Sequence, residues 1–482
     1  MQTPLDDVNE KMKKDDLLML IRSGKPMTTR QQLHLTALLS MPAIMAQISS
    51  IIMQYIDASM VGSLGAEPAA SIGLVSTSTW LFGGMCAAAS TGFYVQVAHR
   101  IGANDFDSAC KVLRQSLLAC LLFVLFVVAV GVGISGNLPV WLGGNPEITS
   151  DASTYFLIFS LTLPAFQMDS LAGGMLRCSG NIMIPSVLNV VLCVLDVVFN
   201  FFLIFPTREV NLWGMDLVIP GAGLGVRGAA LGTCIAVYII GLLMMYFMWY
   251  RTKEFYLGGG RGSFRPTLET LRRAVKISLP MGLEHIVMCG AQIMTTIIVA
   301  PLGTFAIAAN AFAITAESLC YMPGYVIGDA ATTLVGQSVG AGRVQLTKRF
   351  AKITVWLGIG VMTIMGIVMY VAAPLMMGLM TPVEEVRELG VMALRIEAFA
   401  EPMFAASIVS YGVFVGAGST LVPSFMNFFS MWAVRLSLAA LLAPTLGLKG
   451  VWIAMCVELC FRGLIFLIRL KWGKWIKPKE SI

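Results

Sequence analysis

Long apolar runs alternate along the chain with short polar segments that hold most of its charge. A helix rising 1.5 Å per residue needs roughly 20 apolar residues to cross about 30 Å of hydrocarbon. On that basis the pattern predicts twelve membrane-spanning helices. They fall at 35–57, 68–98, 112–134, 153–176, 184–205, 228–250, 277–301, 306–337, 351–375, 391–416, 421–443 and 450–470.

The twelve divide into two sets of six. Pro42 and Pro280 stand 238 residues apart, and the same displacement pairs Gln54 with Gln292, Leu64-Gly65 with Leu302-Gly303, and Gly102-Ala103 with Gly340-Ala341. It persists through Pro164 and Pro402, Pro185-Ser186 and Pro423-Ser424, and Asn189 and Asn427. Only the loop before the sixth span differs in length, since Leu224–Gly228 matches Leu446–Gly450 at 222 residues. Six spans per half bring both halves into the membrane in the same sense. The expected fold is therefore an all-α polytopic membrane protein, two homologous six-helix bundles related by a pseudo-two-fold axis along the membrane normal, with a cavity between them. The expected organisation is a tail at 1–34, a first lobe at 35–250, a linker at 251–276, a second lobe at 277–470 and a tail at 471–482.

Composition agrees with lipid as the solvent, with 57% hydrophobic and 12% charged residues against about 25% charged in soluble domains. The net charge of +6 does not gather into a nucleic-acid-binding patch. Lys and Arg concentrate before the first span and in the even-numbered turns, at Arg100–Arg114, Arg251–Lys276 and Arg343–Lys352, while 135–150 has none. By the positive-inside rule both termini are expected in the cytoplasm, with the chain in the inner or plasma membrane. More than thirty polar or mixed residues precede the first apolar run, so that span is expected to be retained rather than cleaved as a signal. The ten cysteines form no CxxC pair, and neither a disulfide nor a metal beyond Na+ is expected. The run Gly258–Gly262 follows no strand and precedes no Walker lysine, so it reads as a flexible linker. HExxH does not occur, and no enzyme is expected.

The informative residues are the charges inside the spans. Asp57 stands where a lipid-crossing helix should carry no carboxylate. Such a residue at a helix centre costs about 2.5 to 3.5 kcal/mol on insertion scales and marks an ion path or a paired structural role. Asp169 lies in span four, Asp196 and Asn200 in span five, and Thr233 in span six. The four-residue spacing puts Asp196 and Asn200 on one helix face. Carboxylate, amide and hydroxyl oxygens suit Na+, and clustered carboxylates suit H+ equally. Residue chemistry leaves that choice open. At the repeat displacement Asp57 falls on Thr295, Asp169 on Ser407, Asp196 on Val434 and Asn200 on Leu438, while Thr233 falls on Met455. A specialised cation site in the first half explains this one-sidedness. The competing reading is acids satisfied by hydrogen bonds between helices. Pro42, inside the first span, removes a backbone bond and forms either a hinge coupled to Asp57 or a static kink.

The expected substrate cavity gathers Gln54, Tyr55, Glu284, Gln292 and Thr295, where acids and aromatic rings attract organic cations. Glu458 and Arg462, four apart, read as a neutralising ion pair. Glu397 reads as a partner of Arg395 or an interfacial residue, and His285 as a proton relay or a helix-end residue.

The run Pro42–Gly65 with its IDxxxVGxLG ending, the turn Val97–Gly102, the element Leu176-Arg177-x-x-Gly180-Asn181 and the stretch Gly336–Ala341 resemble the multidrug and toxic compound extrusion (MATE) family. The resemblance runs from about 35 to 470. It implies a V-shaped pair of six-helix lobes and antiport of organic cations or drugs against Na+ or H+. It also implies site roles for Asp57, Asn200 and Thr233. This chain reads Asp196 then Asn200 where relatives often read Asn then Asp, and Asp169 stands where Asn is common, which implies a more acidic site. The expected partners are small organic cations and the lipid bilayer, with no nucleic acid and no cofactor besides the coupling ion, and the chain is expected to act as a monomer. The rival readings are an exporter of an endogenous metabolite and a lipid-linked sugar flippase of the same superfamily, the latter disfavoured by the acids of the first half.

Overall fold

The computed structural model describes residues 14–144, 146–212, 215–250 and 263–476. The start of the tail, the glycine run Gly258–Gly262 and the last six residues lie outside the described residues. The first half comprises α1 (Lys14–Arg22), α2 (Thr29–Gly62), α3 (Ala66–Gly102), α4 (Phe106–Ser135), the single turn α5 (Leu138–Trp141), α6 (Pro146–Cys178), α7 (Met183–Ile204) and α8 (Val226–Tyr250). The second half comprises α9 (Leu268–Val299), α10 (Thr304–Gly340), α11 (Val344–Met380), α12 (Glu384–Glu397), α13 (Glu401–Gly416), α14 (Leu421–Phe429), α15 (Leu436–Leu446) and α16 (Leu448–Trp472). Among the described residues eleven helical segments are long and apolar enough to cross a membrane, and the bent pair α12 and α13 supplies a twelfth.

Most spans overrun the apolar runs that predict them, because polar caps extend them past the hydrocarbon. α2 starts six residues early on a capping box: the Gln31 N–H donates to Thr28 Oγ1 (3.2 Å) and the Thr28 N–H to Gln31 Oε1 (2.9 Å). Asp105 caps α4 by accepting from the Ser108 N–H at 3.1 Å. α2 continues through Pro42, as α9 does through Pro280.

Three features depart from the hydropathy reading. The loop between the fifth and sixth spans folds into an antiparallel hairpin of β1 (Pro206–Leu212) and β2 (Met215–Ala222). The Arg208 guanidinium covers the rings of Phe201 and Phe205 at its base, at 4.4 and 4.6 Å. The tenth span is broken, with α12 and α13 meeting at 61°. Pro402 offers no N–H to the turn before it, and that turn tightens to three-residue bonds such as Ala400 N–H to Glu397 O. Pro164, its repeat mate, sits in the unbroken α6, so proline alone does not make the break. The eleventh span contains a π-helical turn, Ser430–Arg435, between α14 and α15.

Each half packs as its own bundle. α6 lies against α3, α4 and α8, and α7 against α2 and α8; in the second half α10 and α11 lie against each other and α13, and α13 against α16. The halves meet where α3 contacts α9 and α10, and where α10 contacts α2. At the end of the seam nearest the helix α1, Gly102 lets α3 approach Gln337 of α10, and Gly340 lets α10 approach His99 of α3. A Cβ at either glycine would stand within 2.0 Å of the facing carbonyl oxygen. The Gly92 N–H donates to Ser278 Oγ (3.1 Å) and Gln96 Nε2 to Thr270 O (3.2 Å). Among the described residues, hydrogen bonds across the seam reach no further from this end than Gln47 to Met322 Sδ and Cys289 to Thr77 O.

Candidate functional site

The buried face of α7 repeats at helical spacing through Cys193, Asp196, Asn200 and Ile204. It packs against α2, so Cys193 Sγ meets Ser50 Oγ at 3.7 Å and, two turns along α2, Asn200 meets Asp57. Asn200 Nδ2 donates to Asp57 Oδ1 at 3.0 Å and to Asp196 Oδ2 at 3.1 Å. One amide thus bridges two carboxylates that the sequence separates by more than a hundred residues. Asp196 is 0% and Asn200 2% exposed, while Asp57 is half-buried. Thr233 faces Asp196 from α8.

The neighbouring residue Gly232 makes the arrangement possible, and sequence reasoning passed over it. A Cβ there would stand 2.1 Å from Asn200 Oδ1. Asp196 Oδ1 and Asn200 Oδ1 are buried without a hydrogen-bond partner. A buried acceptor left open costs about 1 to 3 kcal/mol. These oxygens have the chemistry to hold H+ or Na+.

Asp169 is not part of this group. It lies on α6, where its Oδ1 is buried without a hydrogen-bond partner. The first-half acids expected to form one site therefore divide into Asp57 with Asp196, joined through Asn200, and Asp169 apart from them.

In the second half Glu284 accepts three hydrogen bonds: from the Tyr411 hydroxyl (2.5 Å), the Ser424 hydroxyl (2.7 Å) and Asn427 Nδ2 (2.5 Å). It is buried. None of the other expected cavity residues is among its hydrogen-bond partners. Gln54, Tyr55 and Gln292 are exposed, and the Thr295 hydroxyl donates to Ala291 O of its own helix at 2.9 Å. His285 turns away from Glu284 and crosses the seam to set its ring edge-on to Trp80 of α3, centroids 5.4 Å apart.

Glu458 is bonded to Arg462 as the spacing indicates, by Nε at 2.8 Å and Nη2 at 2.9 Å. A second guanidinium, Arg435, joins it at 2.9 and 2.6 Å, carried there by the π-helical turn that also brings the Ser430 hydroxyl to the same carboxylate. The expected pairing of Glu397 with Arg395 does not occur. Arg395 packs over the Tyr370 ring at 5.3 Å, while Glu397 points inward with both oxygens unpartnered, as do those of Glu401 across the break. Arg395 and Glu397 both lie on α12 two residues apart, and side chains at that spacing leave a helix on different faces.

The family model described as MatE matches the chain at residues 42–202 and 280–441, once in each half. Among curated relatives, the probable multidrug resistance protein NorM of Thermotoga maritima is 23% identical over 441 residues, covering 91% of this chain and 92% of its own. The protein of the same description from Idiomarina loihiensis is 22% identical over 450 residues, covering 90% and 93%. Among solved structures, a MATE protein crystallised in the straight conformation superposes with a TM-score of 0.85 at 19% identity, over 96% of this chain and all of that one. At that identity the likeness speaks to the fold alone.

Proposed function

This chain belongs to the MatE family of membrane transporters, and from that premise we propose that it is a secondary active antiporter that exports organic cations or drugs in exchange for Na+ or H+ by alternating access. The observation that carries this reading is the bridge from Asn200 to Asp57 and Asp196, a cation-accepting oxygen set buried within one half. The multidrug resistance descriptions of its relatives support the substrate class. The pairing of two homologous six-helix bundles along one seam supports alternating access. The Lys and Arg distribution supports both termini in the cytoplasm and residence in the cell membrane.

The test is uptake of a fluorescent lipophilic cation into proteoliposomes under an imposed H+ gradient or an imposed Na+ gradient, for the parent and for Asp57→Asn. The reading requires one gradient to drive uptake and the variant to lose it. Uptake that survives in Asp57→Asn removes Asp57 from coupling, and uptake driven by neither gradient refutes the antiport of organic cations.

A further inference from the structure

The short helix α1 lies across the seam rather than on either half. Its apolar face, Leu17, Leu18 and Ile21, is buried in a cluster formed by Leu35 and Leu39 of α2, Ile182 before α7, Ala330 and Leu334 of α10, and Leu346 and Phe350 of α11. Both halves contribute to that cluster. Leu18 packs on Gly180, where a Cβ would stand 2.2 Å from the leucine side chain.

The last carbonyls of a helix have no partner within it, and here each half supplies one. Arg343, in the turn between α10 and α11, donates from Nη1 to Leu20 O at 2.9 Å and to Ile21 O at 3.4 Å. Asn104, in the turn between α3 and α4, donates from Nδ2 to Arg22 O at 3.0 Å. The two turns are repeat mates, since Asn104 plus 238 is Gly342. Asn104 reaches its position with φ +59°, in the left-handed region that Gly342 also occupies at +71°. One helix end is thus held by equivalent turns from opposite halves. On the first-half side, Arg22 Nη2 adds a bond to Ser179 O at 3.3 Å.

We propose that α1 is a strap that holds the closed side of the seam shut and must detach from at least one half before that side opens, so that Arg343 and Asn104 set the frequency of opening. Opening moves the α10–α11 turn away from the α3–α4 turn. A short helix bonded to both cannot follow both. The strap acts in series: release from one half is enough to open that side, so weakening the second grip adds little. This inference rests on the alternating-access reading and on nothing about the coupling ion or substrate.

The test places spin labels at the exposed residues Asp107 and Gln345 and measures their distance distribution in the full-length protein, for the parent, Arg343→Ala, Asn104→Ala and the double variant. Each substitution removes a side-chain bond to α1 and spares the apolar core, and melting curves verify folding. The expected result is a rise in the long-distance population on the order of tenfold in Arg343→Ala, the size set by one charge-assisted hydrogen bond. Asn104→Ala should shift it in the same direction, and the double variant should go no further than the larger single change. Distributions identical to the parent, in a protein that does open when substrate and ion are added, would overturn the strap while leaving alternating access intact. Additive shifts would also overturn it, since independent structural losses add and a series link does not. If no condition lengthens the distance in any variant, alternating access itself fails and the strap with it.

Discussion

His99 and Gln337 occupy the same position in the two halves and make the same bond in opposite directions across the seam. His99 Nε2 lies 2.7 Å from Gly416 O, and Gln337 Nε2 donates to Cys178 O at 2.7 Å. Gly416 is itself Cys178 displaced by 238 residues. The carbonyl is an acceptor only, so His99 holds its proton on Nε2 in this contact. A pseudo-two-fold axis passes between the two bonds, and the glycines Gly102 and Gly340 allow the backbones to close on it.

The first prediction follows from that equivalence. His99→Gln should preserve cation uptake and melting temperature, because glutamine already makes this bond in the other half. His99→Leu leaves Gly416 O buried without that donor, at a cost of about 1 to 3 kcal/mol. Melting of the purified protein in detergent, with uptake measured in parallel, checks both.

Gly232→Ala is expected to abolish ion-driven uptake without preventing folding. The new methyl group occupies the space of Asn200 Oδ1, so the amide must rotate away from Asp57 and Asp196. Gradient-driven uptake in proteoliposomes should fall to the level of Asp57→Asn, while Thr233→Ala should retain part of it. Equal uptake in Gly232→Ala and parent would mean that the bridge is not needed.

Glu458→Gln should be the most damaging single change in the second half. It leaves Arg435 and Arg462 without their shared carboxylate, and breaking a buried pair from one side costs about 3 to 5 kcal/mol. The measurable outcome is loss of monodisperse protein after extraction. Replacing Arg462 by methionine in the same background should recover part of it, since one arginine then remains instead of two.

Glu284→Gln separates a structural from a coupling role. Three donors converge on this carboxylate, and an amide returns only one acceptor atom to them, so a loss of about 1 to 3 kcal/mol is expected on melting. If Glu284 serves structure alone, the uptake rate per folded molecule stays at the parent value.

One pH effect lies outside the spans. The Ser108 hydrogen bond, followed by the charges of Arg100 and Lys111, holds the Asp105 carboxyl below its ordinary range. A depressed carboxyl stabilises the fold above its unfolded pKa, and this contribution is lost as pH falls through the folded value. Asp105→Asn, which keeps a capping side chain, should therefore flatten the acid limb of the melting temperature plotted against pH, below about pH 4.

The distance between sequence and structure shows most clearly in the acids. Hydropathy located Asp57, Asp196 and Asn200 within their spans, and the four-residue spacing put two of them on one face. The same reasoning added Asp169, which makes no bond to that group and keeps a buried oxygen without a partner. It gave no sign of Gly232 as the residue that makes room for Asn200, because a glycine's value there depends on the helix opposite. The ion pair of Glu458 with Arg462 was legible from spacing within one helix. Arg435 was not, since a π-helical turn re-aims it.

By itself the sequence determined the number of spans, the doubling of a six-helix unit and the presence of charge where lipid disfavours it. These are one-dimensional properties, fixed by run length, by a constant displacement and by the cost of a carboxylate in hydrocarbon. The tertiary structure alone decided which carboxylates share an amide, where the tenth span breaks, and that His99 and Gln337 exchange bonds across the seam. Each of those depends on how closely two helices approach. That distance is set by small residues such as Gly102, Gly232 and Gly340 acting on a partner helix far away in the chain.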